Sequence, residues 1–287
     1  MQPDLTSAPA WFQTAVATQT VSKWADVDGS AIHYLAWNDA DVHKPPLIFV
    51  HGYRAHARWW SAIAPYFMER FRVYALDFSG MGDSATRSHY GAAVHGRDLA
   101  GLIETVGLAP ATVVAHSFGG SRTLRVCADY PGHIEHAIIV DTYFGFADTD
   151  PARPSRSIGF GNVFADYQSL RQRYRLMPDQ PVAFPEMLDY VAYHSARQTA
   201  EGWRWKFDAT LPTTTHEFDS NDLLTRTANR VDIVVGELSV VLSVERAHRV
   251  VKILRHGRGP VIMPQAHHHI MLDQPLALIG VLRALLA

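Results

Sequence analysis

The sequence predicts an α/β fold, a doubly wound and mostly parallel sheet, and three observations carry that prediction. Short apolar runs, continuous but for Thr112 and Asp232, recur at 46–50, 73–76, 112–115, 137–140, 231–235 and 261–263. Helical patterns alternate with them, clearest at 57–70, 92–106, 119–130, 244–255 and 275–286. One long interval, 142–222, breaks the alternation. A run that is apolar at every position, not every second one, suits a strand buried on both faces, as in a parallel sheet flanked by helices. Strand and helix in turn then give the doubly wound core.

The remaining elements follow in order. Residues 9–17 suit a short helix, with Pro9 near its first turn. Strands at 20–27 and 31–37 flank Asp28 and Gly29, a pair suited to a tight type I′ hairpin turn. The interval 142–222 is rich in aromatic residues and arginine, among them Phe160, Phe164, Tyr167, Trp203 and Trp205. Helix-like segments lie at 166–174 and 185–197, and the interval is read as a mostly helical cap inserted into the core. The expected organisation is a core of 1–141 and 223–287 with the cap at 142–222. Residues 202–208 are expected to pack the cap onto the core.

Composition sets bounds on function. The 287 residues are 47% hydrophobic and 19% charged, enough for a sizeable core and unlike a disordered chain. A formal net charge of -2 without a basic block excludes nucleic acid as a partner. Cys127 is the single cysteine, so no intramolecular disulfide can form, and it reads as a small buried apolar residue. Residues 1–20 lack a basic stretch followed by an apolar run, so no signal peptide is expected. No apolar run reaches the ~18 residues of a spanning helix, so no membrane is expected as a partner. A cytoplasmic location is the default.

Ser117 is the centre of the functional reading. It sits in Ala115-His116-Ser117-Phe118-Gly119, after an apolar run and at the start of a helical pattern. A nucleophilic serine needs a sharp strand-to-helix turn that lifts its hydroxyl above the sheet. Small residues two before and two after allow the backbones to approach. The helix that starts there directs N–H groups at the reacting centre. His116 occupies a variable position in this pattern and reads as structural.

With those residues in place, the chain resembles the α/β-hydrolase superfamily over nearly its whole length. The resemblance implies an α/β-hydrolase fold with an inserted helical cap. His51-Gly52-Tyr53 resembles the superfamily's oxyanion loop, which implies backbone N–H donors at Tyr53 and Phe118. The loop 77–84 resembles the family's Asp-x-x-Gly-x-Gly-x-Ser segment and reads as structural. Near the C-terminus, related hydrolases carry Gly-His, an acidic residue five positions on and a proline seven on. Counting back from Asp273 and Pro275 gives His268 as the catalytic base, with His267 standing where glycine is usual. His267 and His269 remain alternatives. Adjacent histidines in one loop chelate a single ion poorly, and no cysteine or carboxylate cluster accompanies them, so no metal is expected.

The triad acid departs from the common pattern. Most relatives place it where this chain has Ser239, and a serine cannot supply the charge that orients an imidazolium. Some members, including haloalkane dehalogenases and zearalenone lactonases, place it after the sixth strand. That position is Asp141 here, with Glu237 and Glu245 as alternatives.

The resemblance implies a cofactor-free hydrolase that cleaves a carboxylic ester or lactone through an acyl-enzyme on Ser117. The candidate substrate contacts are His51, Gly52, Arg54, Trp59 and Phe144. The cap aromatics together with Trp59, Trp60 and Phe144 point to an apolar or aromatic small-molecule substrate, and Arg54 is placed to reach a substrate carboxylate. Carbon–carbon bond hydrolysis or perhydrolysis on the same scaffold is one alternative. A small-molecule receptor with vestigial hydrolysis is another.

Overall fold

A computed structural model describes residues 3–150, 163–212 and 219–287. Helix α1 (Ala10–Ala17) leads into the hairpin β1 (Val21–Val27) and β2 (Ser30–Ala36). Asp28 and Gly29 both have positive φ, 53° and 75°, as a type I′ turn requires. Then come β3 (Pro46–Val50), β4 (Arg72–Leu76), α2 (Ala92–Val106), β5 (Ala111–His116), α3 (Phe118–Asp129) and β6 (Ile134–Val140). The stretch that follows carries α4 (Tyr167–Arg171), α5 (Pro185–His194), a hairpin of β7 (Ala196–Thr199) and β8 (Gly202–Trp205), and α6 (Asn221–Arg226). The chain closes with β9 (Arg230–Gly236), α7 (Val244–Ile253), β10 (Gly257–Met263), α8 (Ile270–Asp273) and α9 (Pro275–Leu285). Among the described residues, no helix is long and apolar enough to cross a membrane.

Eight strands form one sheet in the order β1-β2-β4-β3-β5-β6-β9-β10. The first two neighbour pairs are antiparallel and the rest parallel. Every residue of β3 and β5 is buried, which explains the apolar runs at 46–50 and 113–115. Separate apolar clusters cover the two faces, one containing Ile48, Val113 and Leu124, the other Phe49, Val114 and Leu278. Cys127 is buried in the first, and burial pushes its thiol up to about 12.

Two expectations need correction. Residues 57–70 do not form one helix but two 3-10 turns, Ala57–Trp60 and Ala64–Phe67. Pro65 has no N–H to donate back to Ser61, so an α-helix cannot run through it. The helix read at 185–197 ends at His194, and residues 196–205 pair as the antiparallel hairpin β7–β8 instead. Residues 202–208 do meet the core. Phe207 bridges Met81, Asp208 N donates to Gly80 O at 2.8 Å, and Lys206 pairs with Asp83 at 2.8 Å. Phe160 lies outside the described residues.

The loop 77–84 is a buttress. Asp77 is 1% exposed, pairs with His33 Nδ1 at 2.7 Å and accepts from Asp83 N at 2.8 Å. Burial pushes its carboxyl up, but the His33 hydrogen bond and the surrounding imidazoles outweigh it and hold the group below the usual carboxylate range. Gly82, at φ 58°, abuts this carboxylate, and a Cβ there would collide with it. Gly82→Ala should therefore cost about 2–3 kcal/mol. Urea unfolding of the variant would show this as a lower midpoint at unchanged slope.

Two buried histidines make stability pH-dependent. His56 shares its Nε2 with Ser195 Oγ (2.9 Å) and Val191 O (3.2 Å), tying the core to α5. His95 stacks on Tyr90 and meets Phe118 edge-on. Burial pulls each down to about 3. In the unfolded chain both titrate near ~6.5, so below that pH the unfolded state binds protons that the folded state does not. Their contribution is complete above ~6.5 and falls toward pH 3 by about 1.4 kcal/mol per unit for each group. Against a total stability of roughly 5–15 kcal/mol, a clear loss is expected by about pH 5. Urea midpoints at pH 7.5 and 5.5 check this, and equal midpoints would contradict it.

Candidate active site

The site forms where the parallel strands end. Ser117 follows β5 directly and precedes α3, with φ 53° and ψ -122°. Few residues adopt that conformation without strain, and the neighbourhood enforces it. Ser117 N donates to Val140 O at 3.0 Å, and Thr142 Oγ1 donates to Ser117 O at 2.9 Å. A Cβ on Gly119 would stand 2.5 Å from His51 O, and one on Gly120 would strike Thr142 Oγ1. The glycines are therefore what lets the elbow close on its two neighbouring loops. Ser117 itself is only half-buried.

His268 Nε2 lies 3.0 Å from Ser117 Oγ, and His268 Nδ1 lies 2.8 Å from Asp141 Oδ1. Asp141 ends β6 with φ 46° and is fully buried. Its carboxylate is saturated with donors. Gly236 N donates to Oδ2 at 2.8 Å, and Ser239 Oγ donates to Oδ1 at 2.6 Å. Ser239, the residue standing where an acid is usual, thus serves the acid on the neighbouring strand end. Glu237 faces away, its Oε2 accepting from Gln265 N at 2.9 Å on the surface. Glu245 lies in the first turn of α7.

The histidine run divides by role. His267 turns to Asp273 Oδ2, which receives its N at 2.7 Å and its Nδ1 at 2.9 Å. His268 faces Ser117. His269 packs on Trp59, with ring centroids 5.3 Å apart, and its N donates to Gln180 Oε1 at 2.7 Å. Burial pulls the His269 imidazole down to about 3, and burial likewise holds His116 far below its ordinary value. His116 Nε2 is hydrogen-bonded to His268 O at 3.0 Å, a contact the sequence pattern did not single out.

The oxyanion candidates lie against the elbow. Gly52 backs onto His116 and Ser117, and the Tyr53 and Phe118 rings are 5.7 Å apart. Neither Tyr53 N nor Phe118 N donates to another described residue. The His51 ring is engaged on both sides, Nδ1 with Gly52 O at 2.6 Å and Nε2 accepting from Phe78 N at 3.1 Å. Burial pulls its basicity down, so it buttresses the loop as a neutral ring. Arg54 lies between the Tyr53 and Phe207 rings, 5.0 and 4.8 Å from their centroids. Trp59 is buried beside His269, and Phe144 is buried in the core cluster that contains Phe118. Tyr53 OH donates to Pro212 O at 2.5 Å, a tie between this loop and the inserted stretch that sequence patterning did not reveal.

Residues 47–281 match the model of the alpha/beta hydrolase family. The chain belongs to that family. The hydrolase is 24% identical over 270 residues to esterase Rv0045c of Mycobacterium tuberculosis, covering 91% of this chain and 88% of that one. The crystal structure of that esterase superposes with a TM-score of 0.73 at 21% identity, covering 99% of both chains. A thioesterase domain from the curacin biosynthetic pathway superposes with a TM-score of 0.76 at 18% identity, covering 93% of the hydrolase and 99% of that domain. The hydrolase is thus esterase-like in sequence and shares its fold with both structures.

Proposed function

We propose that the hydrolase cleaves a carboxylic ester or lactone through an acyl-enzyme on Ser117. The observation that supports this reading is the continuous chain from Ser117 Oγ to His268 Nε2 and from His268 Nδ1 to Asp141, with links of 3.0 and 2.8 Å. His268 accepts the Ser117 proton as Oγ attacks the carbonyl carbon. The tetrahedral oxyanion is received by the N–H groups of Tyr53 and Phe118, and losing one such donor typically costs about 2.7–4 kcal/mol of transition-state stabilisation. His268 then gives the proton to the leaving alkoxide. In the second half, water loses a proton to His268 and attacks the acyl carbon, and as the acyl–Oγ bond breaks His268 returns that proton to Ser117 Oγ. Asp141 holds Nδ1 protonated throughout, which keeps Nε2 basic toward Ser117. No step calls for a cofactor.

The stretch 142–222 acts in this reading as a cap that shapes the substrate pocket over the core 1–141 and 223–287. It touches the loops that carry site residues: Pro212 meets Tyr53, Asp208 meets Gly80, and Gln180 meets His269. Gly52 lies against Ser117, Arg54 rests on the Tyr53 ring and Trp59 on His269, and the aromatic residues of this group, with the buried Phe144, favour an apolar or aromatic substrate. A cytoplasmic location fits a small-molecule substrate.

A panel of p-nitrophenyl esters and lactones, run beside a vinylogous diketone and a perhydrolysis assay, tests the reaction class. Esters or lactones should turn over fastest, and a phosphonate inhibitor should mark a single peptide containing Ser117 by mass spectrometry. Preferred cleavage of the diketone would assign carbon–carbon hydrolysis instead. Fewer than a few turnovers per minute on all substrates would favour a receptor.

A further inference from the structure

We infer that His116, His268 and His269 together form a site for a divalent transition-metal ion of the zinc or copper class, and that filling it switches the hydrolase off. One ring nitrogen from each lies within 4.8 Å of the others, and all three side chains are buried. The residues come from two separate places, the end of β5 and the loop before α8. His268 and His269 are neighbours in one loop, but the fold turns His267 away to Asp273 and brings the His116 ring, from the end of β5, to centroid distances of 4.7 and 5.5 Å from theirs.

Each ring is oriented for the role. Asp141 takes the Nδ1 proton of His268, which leaves the Nε2 lone pair directed inward, the carboxylate–histidine arrangement common behind metal ligands. The His268 carbonyl engages His116 Nε2, leaving Nδ1 as the donor atom, on the side facing Gly52 and Ser117. The His269 ring makes no hydrogen bond of ordinary geometry, with the Met177 carbonyl near it. Tetrahedral zinc with Zn–N bonds of about 2.0–2.1 Å needs ring nitrogens about 3.3 Å apart. Side-chain rotation on ion binding has to close that gap, and the fourth position would be taken by water or by Ser117 Oγ, which lies 3.0 Å from His268 Nε2. A second cluster, His33, Asp77 and Asp83, is a weaker candidate because His33 and backbone N–H groups already engage the Asp77 oxygens.

Inhibition follows from one lone pair. The ion takes the His268 Nε2 electrons that would accept the Ser117 proton, and a chelator returns them. The inhibition rests on the reading of Ser117 and His268 as the reacting pair, while the binding does not.

The test uses the full chain freed of metal. Cobalt(II) should give the visible absorption of a tetrahedral nitrogen site in the wild type, saturating at one equivalent. His269→Phe and His269→Leu, both checked for folding by circular dichroism, should lose it, and His267→Ala should keep it. Zinc should inhibit ester turnover and EDTA should restore it. Measured against each protein's own metal-free rate, the His269 variants should need at least about tenfold more zinc, since loss of even a residue supporting a ligand costs ~10–100-fold in affinity. If the wild type gives no cobalt spectrum, or both His269 variants bind and are inhibited like it, the site is overturned. Cobalt binding without any ester turnover would uphold the site and refute the proposed reaction.

Discussion

Ser117→Ala should lower kcat/KM for a good ester substrate by on the order of 10^6, and His268→Ala by a similar factor. The double variant should be little worse than either, because the two groups act as a unit and the second removal finds nothing left to disable. The fold should survive. Among the described residues, the one side-chain hydrogen bond at Ser117 Oγ is to His268, and the elbow is held by the backbone and by Thr142. Ser117→Gly sharpens the point, because glycine tolerates the positive φ of 53° that serine endures. That variant should be inactive yet more stable than wild type by about 1 kcal/mol, as expected where strain is kept for chemistry. Steady-state kinetics with urea unfolding of the same preparations reads both quantities. Near-normal turnover in Ser117→Ala would refute the nucleophile. Loss in His267→Ala with normal rates in His268→Ala would shift the histidine register, against the pairing of His267 with Asp273.

How far the sequence could be read depended on which force fixed each feature. Strands β3 and β5 were legible because burial on both faces leaves little room for polar residues, and apolar runs as short as 46–50 and 113–115 suit little else. The hairpin β7–β8 was not, because Arg197, Gln198 and Arg204 sit in short surface strands whose pairing leaves no alternation to find. Pro65 was a visible breaker within 57–70, and the apolar periodicity around it was misleading. At the site, Ser117 was legible from its small neighbours, since the need for close backbone approach is written in residue size. Asp141 was reached only through the resemblance to members that place the acid after the sixth strand, with the serine at 239 as the discriminating departure. The partnership of the two was hidden, because the ends of β6 and β9 meet only through sheet order. The His116–His268 contact was hidden for the same reason, as it joins positions far apart in the chain.

Asp141→Asn should cost about 10^4 in kcat while leaving substrate binding nearly unchanged. The reason lies in the donors around the carboxylate. Oδ1 receives His268 Nδ1 and Ser239 Oγ, and Oδ2 receives Gly236 N. An asparagine must place its amide nitrogen at one of these corners. At Oδ2 it opposes the Gly236 N–H, which cannot turn. At Oδ1 it faces His268 and forces the proton onto Nε2, where it points at Ser117 and ends general-base catalysis. Glu237→Gln should change kcat less than twofold, because among the described residues Glu237 bonds only a surface backbone N–H. The reverse ranking would overturn the strand-six acid. Ser239 then offers a test of position as against mere charge. Its Oγ is 2.6 Å from the oxygen that holds His268, so an aspartate there can reach Nδ1. Ser239→Asp alone sets two carboxylates side by side, and their repulsion should lower activity or stability. In the Asp141→Asn background that repulsion is absent, and the same substitution should recover part of the lost kcat. Recovery would locate the missing function in a negative charge at His268 Nδ1, supplied from either of two neighbouring strand ends.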